Sequence, residues 1–378
     1  MYDQIREDTL FLMFYASVAM LALIACCYLL FRRSNAIAPD VTPPARLRRW
    51  TAAFFATIAM CHIWYLPTYF LTSPDEVMLG YLIAGWLDCM TVIPLMIVIL
   101  LTMLQDRRRP LWPVCVMMVP FVVGLAWCIV SRSDDFLLVI FVYFLLMWLG
   151  IIIYMVRAIR QYGRWLRDNY ADLEHKEVWV SLTLLIGLML LLMCYEYTDN
   201  YVMCTIAHLI GFPLAGLLLW RVETLSDLSA DSLIPSPAQS DACLSKRPDV
   251  PPCETKNPTP KGEASHIARL LAKHCEGAGL YLQTDLTMSQ LSAAIGVNRY
   301  YLSQYFTSQG ISYYEYIHDL RVRHFIARCR ELAAAQKPIV AQQLALESGY
   351  RCYSTFSTAF KQRMHKSVIA WMHEEVSA

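Results

Sequence analysis

Long apolar stretches alternate with short polar ones over the first 220 residues of the chain. Each has about 20 residues or more, which is the length of a helix that crosses roughly 30 Å of hydrocarbon. The seven stretches cover residues 10–31, 50–71, 78–104, 111–130, 136–156, 178–197 and 201–220. This pattern predicts an all-α chain with a seven-helix transmembrane bundle in residues 1–221.

Basic residues are distributed unevenly among the polar loops. The loops after the first, third and fifth stretches contain 13 arginines and lysines, whereas the opposite side has only Arg6 and Arg132. An excess of basic residues marks cytoplasmic loops. We therefore expect the N-terminus to lie outside and the C-terminal region to lie in the cytoplasm. The acidic N-terminal segment and the long first stretch argue against a cleaved signal peptide.

The composition changes abruptly after Trp220. Although 57% of all residues are hydrophobic and only 17% are charged, residues 233–262 contain seven prolines among serine, aspartate, lysine and threonine. Such a segment cannot form a packed core, so we interpret residues 222–262 as a flexible Pro-rich linker. A docked, irregular strap is the alternative. The thirteen cysteines include no CxxC pair, and we expect neither a metal site nor a cofactor.

Residues 263–378 have helical periodicity and contain two segments with the same internal plan. In each segment a helix carries a small residue, a glycine follows four residues later, and a second helix begins. The small residue and the glycine are Ser292 and Gly296 in the first segment, and Ala345 and Gly349 in the second. Small residues permit close helix crossing and glycine permits a left-handed turn. The pattern therefore predicts two helix-turn-helix units in tandem.

Local signals predict where several of these helices begin. Thr287 and Gln290 have the spacing of a capping box, and so do Ser312 and Glu315. The second box opens a helix predicted to run to Ala334, about 34 Å long. A rod of this length can hold two reading helices about one DNA turn apart. Pro338 is expected in the first turn of the next helix.

About the last hundred residues resemble the C-terminal DNA-binding domain of the arabinose-regulator (AraC) family of bacterial transcription regulators. The resemblance rests on LTMSQLSAAIGVNRYYLSQYF, GISYYEYIHDLRV and LALESGYRCYSTFSTAFKQR. It implies a cytoplasmic all-helical domain with two helix-turn-helix units that binds double-stranded promoter DNA. Four positions depart from the family's usual residues, namely Ser292, Cys352, His365 and Val368. The family has membrane-anchored members, and the present architecture is similar to theirs.

Residues that face away from the apolar positions of each reading helix are expected to read bases. These are Arg299, Tyr300, Ser303 and Gln304 in the first helix, and Tyr353, Ser354, Thr355 and Thr358 in the second. Arginine and glutamine can contact purine edges with two hydrogen bonds, whereas serine and threonine contact several bases. Arg351, Lys361 and Arg363 are expected to contact phosphates, which fixes register without reading sequence.

Four ionisable residues within the apolar stretches form a hypothetical sensor pocket. They are His62, Asp88, Glu196 and His208. Ionisable groups are costly in a bilayer and often mark a functional site. We hypothesise a ligand or ion pocket open to the outside. Alternatively, these groups satisfy one another between helices, and the bundle is an anchor and dimerisation surface.

These features predict a membrane-embedded, sequence-specific DNA-binding transcription regulator in the bacterial cytoplasmic (inner) membrane, one that senses an envelope signal. Its expected partners are promoter DNA and the lipid bilayer, while RNA polymerase, a second copy of the chain and an unknown envelope ligand stay open. The alternative is a transporter or membrane enzyme with a cytoplasmic helical regulatory or partner-binding module. We expect no enzymatic activity, because the sequence has no HExxH, phosphate-loop or Ser/His/Asp pattern.

Overall fold

The structure is a computed structural model that describes residues 9–32, 35–39, 41–131, 136–195, 201–228 and 260–375. All regular secondary structure in these residues is helical, which confirms the all-α prediction for this part of the chain. The chain divides into two compact units. The first comprises Met1–Tyr162 and His175–Ser229, and the second comprises Gly163–Glu174 and Ala230–Ala378.

Eight α-helices begin within the described residues of the first unit. They are α1 (Thr9–Phe31), α2 (Ala45–Trp64), α3 (Pro74–Met103), α4 (Trp112–Met117), α5 (Val119–Ser131), α6 (Leu137–Asn169), α7 (Trp179–Tyr195) and α8 (Tyr201–Thr224). Helix α1 packs against α2 and α8, α2 packs against α3, and α7 packs against α8. The C-terminal end of α6, from Gly163 onward, belongs to the second unit.

Four segments in the described part of the chain are long and apolar enough to cross a membrane. They are Phe11–Phe31, Pro74–Met103, Trp112–Ser131 and Leu138–Asn169. Stretches 178–197 and 201–220 contain α7 and α8, whereas the α-helix in stretch 50–71 ends at Trp64 and is followed by a 3-10 turn at Leu66–Tyr69. These three stretches do not meet the same criteria of length and composition in the described residues. The seven-helix transmembrane bundle therefore stays a prediction.

Several helix bounds differ from the sequence prediction for local reasons. The stretch 111–130 contains two helices, α4 and α5, and Pro120 occupies the second position of α5, where a missing N–H does no harm. The fifth stretch, predicted to end at residue 156, continues as α6 to Asn169. Its extension, RAIRQYGRWLRDN, is polar but consists largely of residues that tolerate a helix well.

The first unit has apolar side chains both inside and outside. Its core includes Phe54, Met96 and Leu100, each no more than 2% exposed. Many large apolar side chains are nevertheless exposed, and Phe70 and Val130 have more than four-fifths of their surface free. A high number of exposed large apolar side chains is typical of proteins that contact a membrane or another protein.

The second unit contains seven α-helices in its described C-terminal part. They are α9 (Pro260–Leu270), α10 (Met288–Ile295), α11 (Arg299–Ser308), α12 (Tyr313–Ala334), α13 (Ala341–Glu347), α14 (Tyr353–Met364) and α15 (Val368–Glu375). A π-helical turn at Leu271–Glu276 follows α9, and a 3-10 turn lies at Leu280–Leu282.

Helix α12 is the common spine of the two helix-turn-helix units. Its first half contributes Tyr313 and Ile317 to a core with residues of α10 and α11. Its second half contributes Phe325 and Cys329 to a separate core with residues of α13, α14 and α15. One helix therefore fixes the positions of both units.

Both predicted capping boxes are present. The Thr287 and Ser312 side chains each accept a hydrogen bond from the backbone N–H three residues later. The side chains of Gln290 and Glu315 in turn accept from the backbone N–H groups of Thr287 and Ser312. The prediction for Pro338 is wrong. Helix α13 begins only at Ala341, because the backbone is still extended at the preceding residue.

The predicted linker lies mostly outside the described residues, which stop at residue 228 and resume at residue 260. Before the gap, α8 continues to Thr224, and the backbone N–H of Ser226 donates to the carbonyl of His175 at 3.0 Å. After the gap, α9 begins at Pro260. The proposed domain boundaries at residues 221 and 263 stay predictions.

Candidate nucleic-acid interface

The first predicted reading helix, α11, has one buried and one exposed face. Leu302 and Phe306 are no more than 2% exposed and fix the inner face. The Asn298 side chain caps the helix by accepting from the N–H of Tyr300 at 2.9 Å. Gln304 Nε2 donates to the Tyr300 hydroxyl at 2.8 Å, which orients both side chains on the outer face. Of the predicted base-reading residues, Tyr300, Ser303 and Gln304 are exposed, and Arg299 is half-buried.

The second predicted reading helix, α14, is held by an aromatic cluster. Phe356 and Phe360 are fully buried, and the Phe356 ring lies 4.4 Å from the ring of Phe325 on α12. Tyr353 was predicted to face away from this cluster, but its ring packs against that of Phe356 with the ring centres 5.8 Å apart, because the two residues are three positions apart on one face of the helix. Ser354 and Thr358 are exposed, whereas Tyr353 and Thr355 are half-buried.

Cys352 occupies the N-cap of α14, but its side chain makes no capping hydrogen bond. Its Sγ atom lies 3.1 Å from the hydroxyl oxygens of Ser354 and Thr355. Burial raises the pKa of this thiol, but hydrogen bonds from those hydroxyls outweigh burial and leave the pKa below its ordinary value. The thiol therefore contacts two predicted base-reading residues.

Two of the three predicted phosphate contacts have carboxylate partners in the structure. Arg351 Nη2 lies 2.7 Å from Asp285 Oδ2, and Arg363 forms an ion pair with Asp319. Lys361 is exposed. DNA phosphates would have to replace the carboxylates at Arg351 and Arg363.

Arg321, which no sequence pattern distinguishes, connects the two helix-turn-helix units. Its side chain is only 1% exposed and donates to the carbonyl oxygens of Tyr281 at 2.8 Å and Gln283 at 2.7 Å. The guanidinium also lies 5.5 Å from the ring centre of Tyr350. Arg321 therefore ties α12 to the loop before α10 and to the turn of the second helix-turn-helix unit.

A second feature that was not predicted is a segment at the C-terminal end of α6, residues 169–174, which we call the docked segment. Ala171 is fully buried in the core formed by α10, α11 and α12. Its N–H donates to the carbonyl oxygen of Leu286 at 3.2 Å. His318 on α12 binds the carbonyl oxygen of Ala171 through Nε2 at 2.9 Å.

The contacts of His318 indicate which of its ring nitrogens carries the proton. A carbonyl can only accept a hydrogen bond, so the proton lies on Nε2, and Nδ1 accepts from the Tyr350 hydroxyl at 3.0 Å. Burial, followed by the nearby Arg321 guanidinium, lowers the pKa of His318 to about 3. The imidazole is therefore neutral at physiological pH.

Three side chains of the docked segment contact residues at the predicted DNA-binding surface. The pairs are Asn169 Oδ1 with Arg299 Nη2, Asp172 Oδ2 with Arg351 Nε at 3.7 Å, and Glu174 Oε2 with Cys352 Sγ at 3.7 Å. The segment therefore contacts one predicted DNA-binding residue in each helix-turn-helix unit, Arg299 in the first and Arg351 in the second. The only sequence signal for it was the cluster of Asn, Asp and Glu after α6.

Three of the four predicted sensor residues lie within the described first unit, and two of these are close together. The rings of His62 and His208 have centres 5.9 Å apart, and the Tyr15 ring lies 4.4 Å from that of His62. The Tyr15 hydroxyl donates to the carbonyl oxygen of His62 at 2.7 Å. Glu196 lies outside the described residues.

Asp88 on α3 is held by two aromatic donors. Its carboxylate oxygens accept from Trp64 Nε1 at 2.8 Å and from the Tyr65 hydroxyl at 2.9 Å. The described residues contain no group of three or more His, Cys, Asp or Glu side chains placed to hold a metal ion. The sensor pocket stays a prediction.

Residues 291–374 match the family model described as a helix-turn-helix domain. The match begins in α10 and ends in α15, so it covers both reading helices and the spine α12. No curated protein and no solved structure matches the chain. Residues 291–374 therefore form a helix-turn-helix domain of the AraC type.

Proposed function

We propose that this chain is a membrane-embedded transcription regulator that binds specific promoter sequences. The observation that carries the proposal is the pair of helix-turn-helix units on one spine, within the part of the chain that matches the helix-turn-helix family. Helix α12 has 22 residues and is about 33 Å long. This length is about one turn of B-DNA, so one chain could present two reading helices to successive major grooves.

The exposed side chains favour a division of roles. The side chains of Tyr300 and Gln304 are preoriented by their hydrogen bond, and glutamine can contact an adenine edge with two hydrogen bonds. Lys361 is exposed near the C-terminal end of α14 and would contact a phosphate. Gln304→Ala should therefore change the preferred sequence, whereas Lys361→Ala should weaken binding to all duplexes alike.

The direct test is in-vitro selection from a random duplex library, using the full chain in lipid nanodiscs. We expect a site with two half-sites about one helical turn apart, and binding to this site should weaken steeply with salt. Failure to enrich any sequence at low salt, from a preparation that remains folded, would contradict the proposal.

Membrane insertion is the second part of the proposal. Four long apolar helices and the apolar exterior of the first unit support it. The basic loops after the first, third and fifth stretches favour seven spans with the N-terminus outside. Fusion of alkaline phosphatase, active only outside the cytoplasm, should give high activity after residue 131 and low activity after residue 378.

We further propose that the first unit senses an envelope ligand through Asp88 and the aromatic and histidine side chains nearby. A carboxylate held by Trp64 and Tyr65 is poised to change partners when a ligand enters. Asp88→Asn should change promoter output at unchanged protein level. Asp75→Asn, at an exposed position of the same helix, should leave output unchanged.

A further inference from the structure

We propose that the docked segment, residues 169–174, is an autoinhibitory element that competes with DNA for the helix-turn-helix domain. The proposal rests on the proposed DNA-binding function. It goes beyond that function because it assigns a regulatory role to a segment far from the domain in sequence.

The docking is built into the domain core rather than limited to its surface. Ala171 packs among Leu286, Leu291 and other core residues and has no exposed surface. Both of its backbone polar groups are used, one by the carbonyl oxygen of Leu286 and the other by His318. An antiparallel bridge also joins Tyr170 to Thr287, the N-cap of α10.

The polar side chains of the docked segment occupy groups that DNA would need. The Asn169 side-chain oxygen accepts from the guanidinium of Arg299, a predicted base-reading residue. The Asp172 carboxylate, which is almost fully buried, lies 3.7 Å from Arg351, a predicted phosphate contact. Carboxylate and phosphate oxygens are acceptors of the same kind for a guanidinium. The docked segment and DNA therefore compete for these two arginines.

A third contact places the segment at the start of the second reading helix. The Cys352 thiol, at the N-cap of α14, donates toward a carboxylate oxygen of Glu174 at 3.7 Å. The N–H groups at a helix N-terminus favour an anion. The negative charge of Glu174 thus lies where a DNA phosphate would also be favoured.

The direction of regulation follows from mutual exclusion. A segment that binds only the DNA-free domain lowers apparent DNA affinity, and DNA weakens docking by the same factor. Couplings of this kind are typically about 5-fold to 150-fold. Because the segment directly continues α6 along the chain, a change at the end of that helix can reach the domain without any diffusing partner.

The test compares DNA affinities of full-length variants in lipid nanodiscs. The probe is a fluorescein-labelled duplex obtained by selection with the undocking variant, and binding is followed by fluorescence anisotropy. The undocking variant combines Asp172→Asn with Glu174→Gln. The control is Glu177→Gln, an exposed acidic position just beyond the segment. We expect the undocking variant to bind at least about 5-fold more tightly than wild type and the control to bind like wild type.

A second variant pair separates competition from a general structural effect. In an Arg351→Ala background the arginine that Asp172 masks is absent, so the gain from undocking should shrink markedly. Hydrogen exchange gives an independent reading of docking. The Ala171 amide should be protected in wild type, and it should exchange faster in the undocking variant and in wild type bound to the duplex.

The possible results lead to different conclusions. Suppose that the Ala171 amide has lost protection in the variant but that the variant binds DNA no more tightly than wild type. Release of the docked segment would then not increase DNA affinity, and this result would overturn autoinhibition alone. Unchanged protection of that amide in the variant and in the DNA complex would also overturn it. Failure of every variant to bind any duplex would overturn the proposed function and autoinhibition together.

Discussion

The two helix-turn-helix units have the same plan but are held by different interactions. Each has a small buried residue in its first helix, Ser292 or Ala345, and a left-handed glycine in its turn. In the first helix-turn-helix unit, the side chains of Thr287 and Asn298 cap the two helices. In the second helix-turn-helix unit, neither helix has a side-chain cap.

The second helix-turn-helix unit is stabilised by packing, whereas the first is stabilised by local hydrogen bonds. Rings of Phe325, Phe356, Phe360 and Trp371 form a continuous aromatic cluster behind α14. The turn at Gly349 is pressed against the backbone of Leu282, whereas the space around Gly296 is open. A shared motif can therefore be stabilised locally or through long-range contacts, and the two modes predict different sensitivities to mutation.

The largest contrast is expected at the two turn glycines. Alanine at Gly349 would adopt a φ of +87° and place its Cβ 2.6 Å from the carbonyl oxygen of Leu282. Alanine at Gly296 would meet only the strain of a φ of +69°, because no heavy atom lies within 4 Å of its Cβ. We expect Gly349→Ala to cost about 3 kcal/mol or more, and Gly296→Ala to cost about 1 kcal/mol.

Hydrogen exchange of α11 and α14 amides in the full chain measures this contrast as opening free energies. Gly349→Ala should lower protection mainly in α14, while Gly296→Ala should produce a small change in α11. Equal losses from both substitutions would mean that the contact with Leu282 is unimportant for the second unit.

The next largest effect is a pH dependence of stability caused by His318. This residue links α12 to the turn of the second helix-turn-helix unit through Tyr350. Its folded pKa, lowered to about 3 mainly by burial, lies below the ordinary value of about 6.5. The neutral form is therefore favoured by folding. Its contribution to stability is full above about pH 6.5 and declines as the pH falls toward 3. Between pH 7 and pH 5 the domain should lose about 2 kcal/mol of stability through this group.

Amide exchange in α12, corrected for the intrinsic effect of pH, provides the measurement. His318→Gln should remove this part of the pH dependence, although it also lowers stability at pH 7. The matched control is His266→Gln, because His266 is exposed on α9. A pH dependence that survives His318→Gln would assign the effect to another group.

The smallest contrast is expected at the two N-caps of the reading helices. Asn298→Ala removes a hydrogen bond to the N–H of Tyr300 and should cost α11 about 1 kcal/mol. Cys352→Ala should cost less in α14, because the thiol makes no capping bond. Cys352→Ser should stabilise α14 by about 0.5 kcal/mol. Exchange rates of the first-turn amides distinguish these outcomes, and similar losses from both alanine variants would contradict the contrast.

Features encoded by neighbouring residues could be predicted from the sequence. The capping boxes at Thr287 and Ser312, the Asn298 cap and the extent of the long helix α12 each depend on residues within a few positions of one another. The two glycine turns also follow from local spacing. The helix-turn-helix domain was therefore accessible without a structure.

Features that depend on distant residues could not be predicted in the same way. The contact between His318 and Ala171 joins residues 147 positions apart, and no periodicity records it. No sequence pattern distinguishes Arg321 from the other arginines of α12, although its buried side chain connects the two helix-turn-helix units. Pro338 is not in the first turn of α13, because the backbone is still extended at Val340 and the helix begins only at Ala341.

The most direct measurement is a comparison of the DNA sites selected by three full-length proteins in nanodiscs: wild type, Gln304→Ala and Thr358→Ala. The two changed residues lie on the exposed faces of α11 and α14. If each unit reads one half-site, Gln304→Ala should relax sequence preference in one half-site and Thr358→Ala in the other, about one helical turn away. Both variants relaxing the same half-site, or neither changing the selected sequence, would contradict sequence reading by two units on one spine.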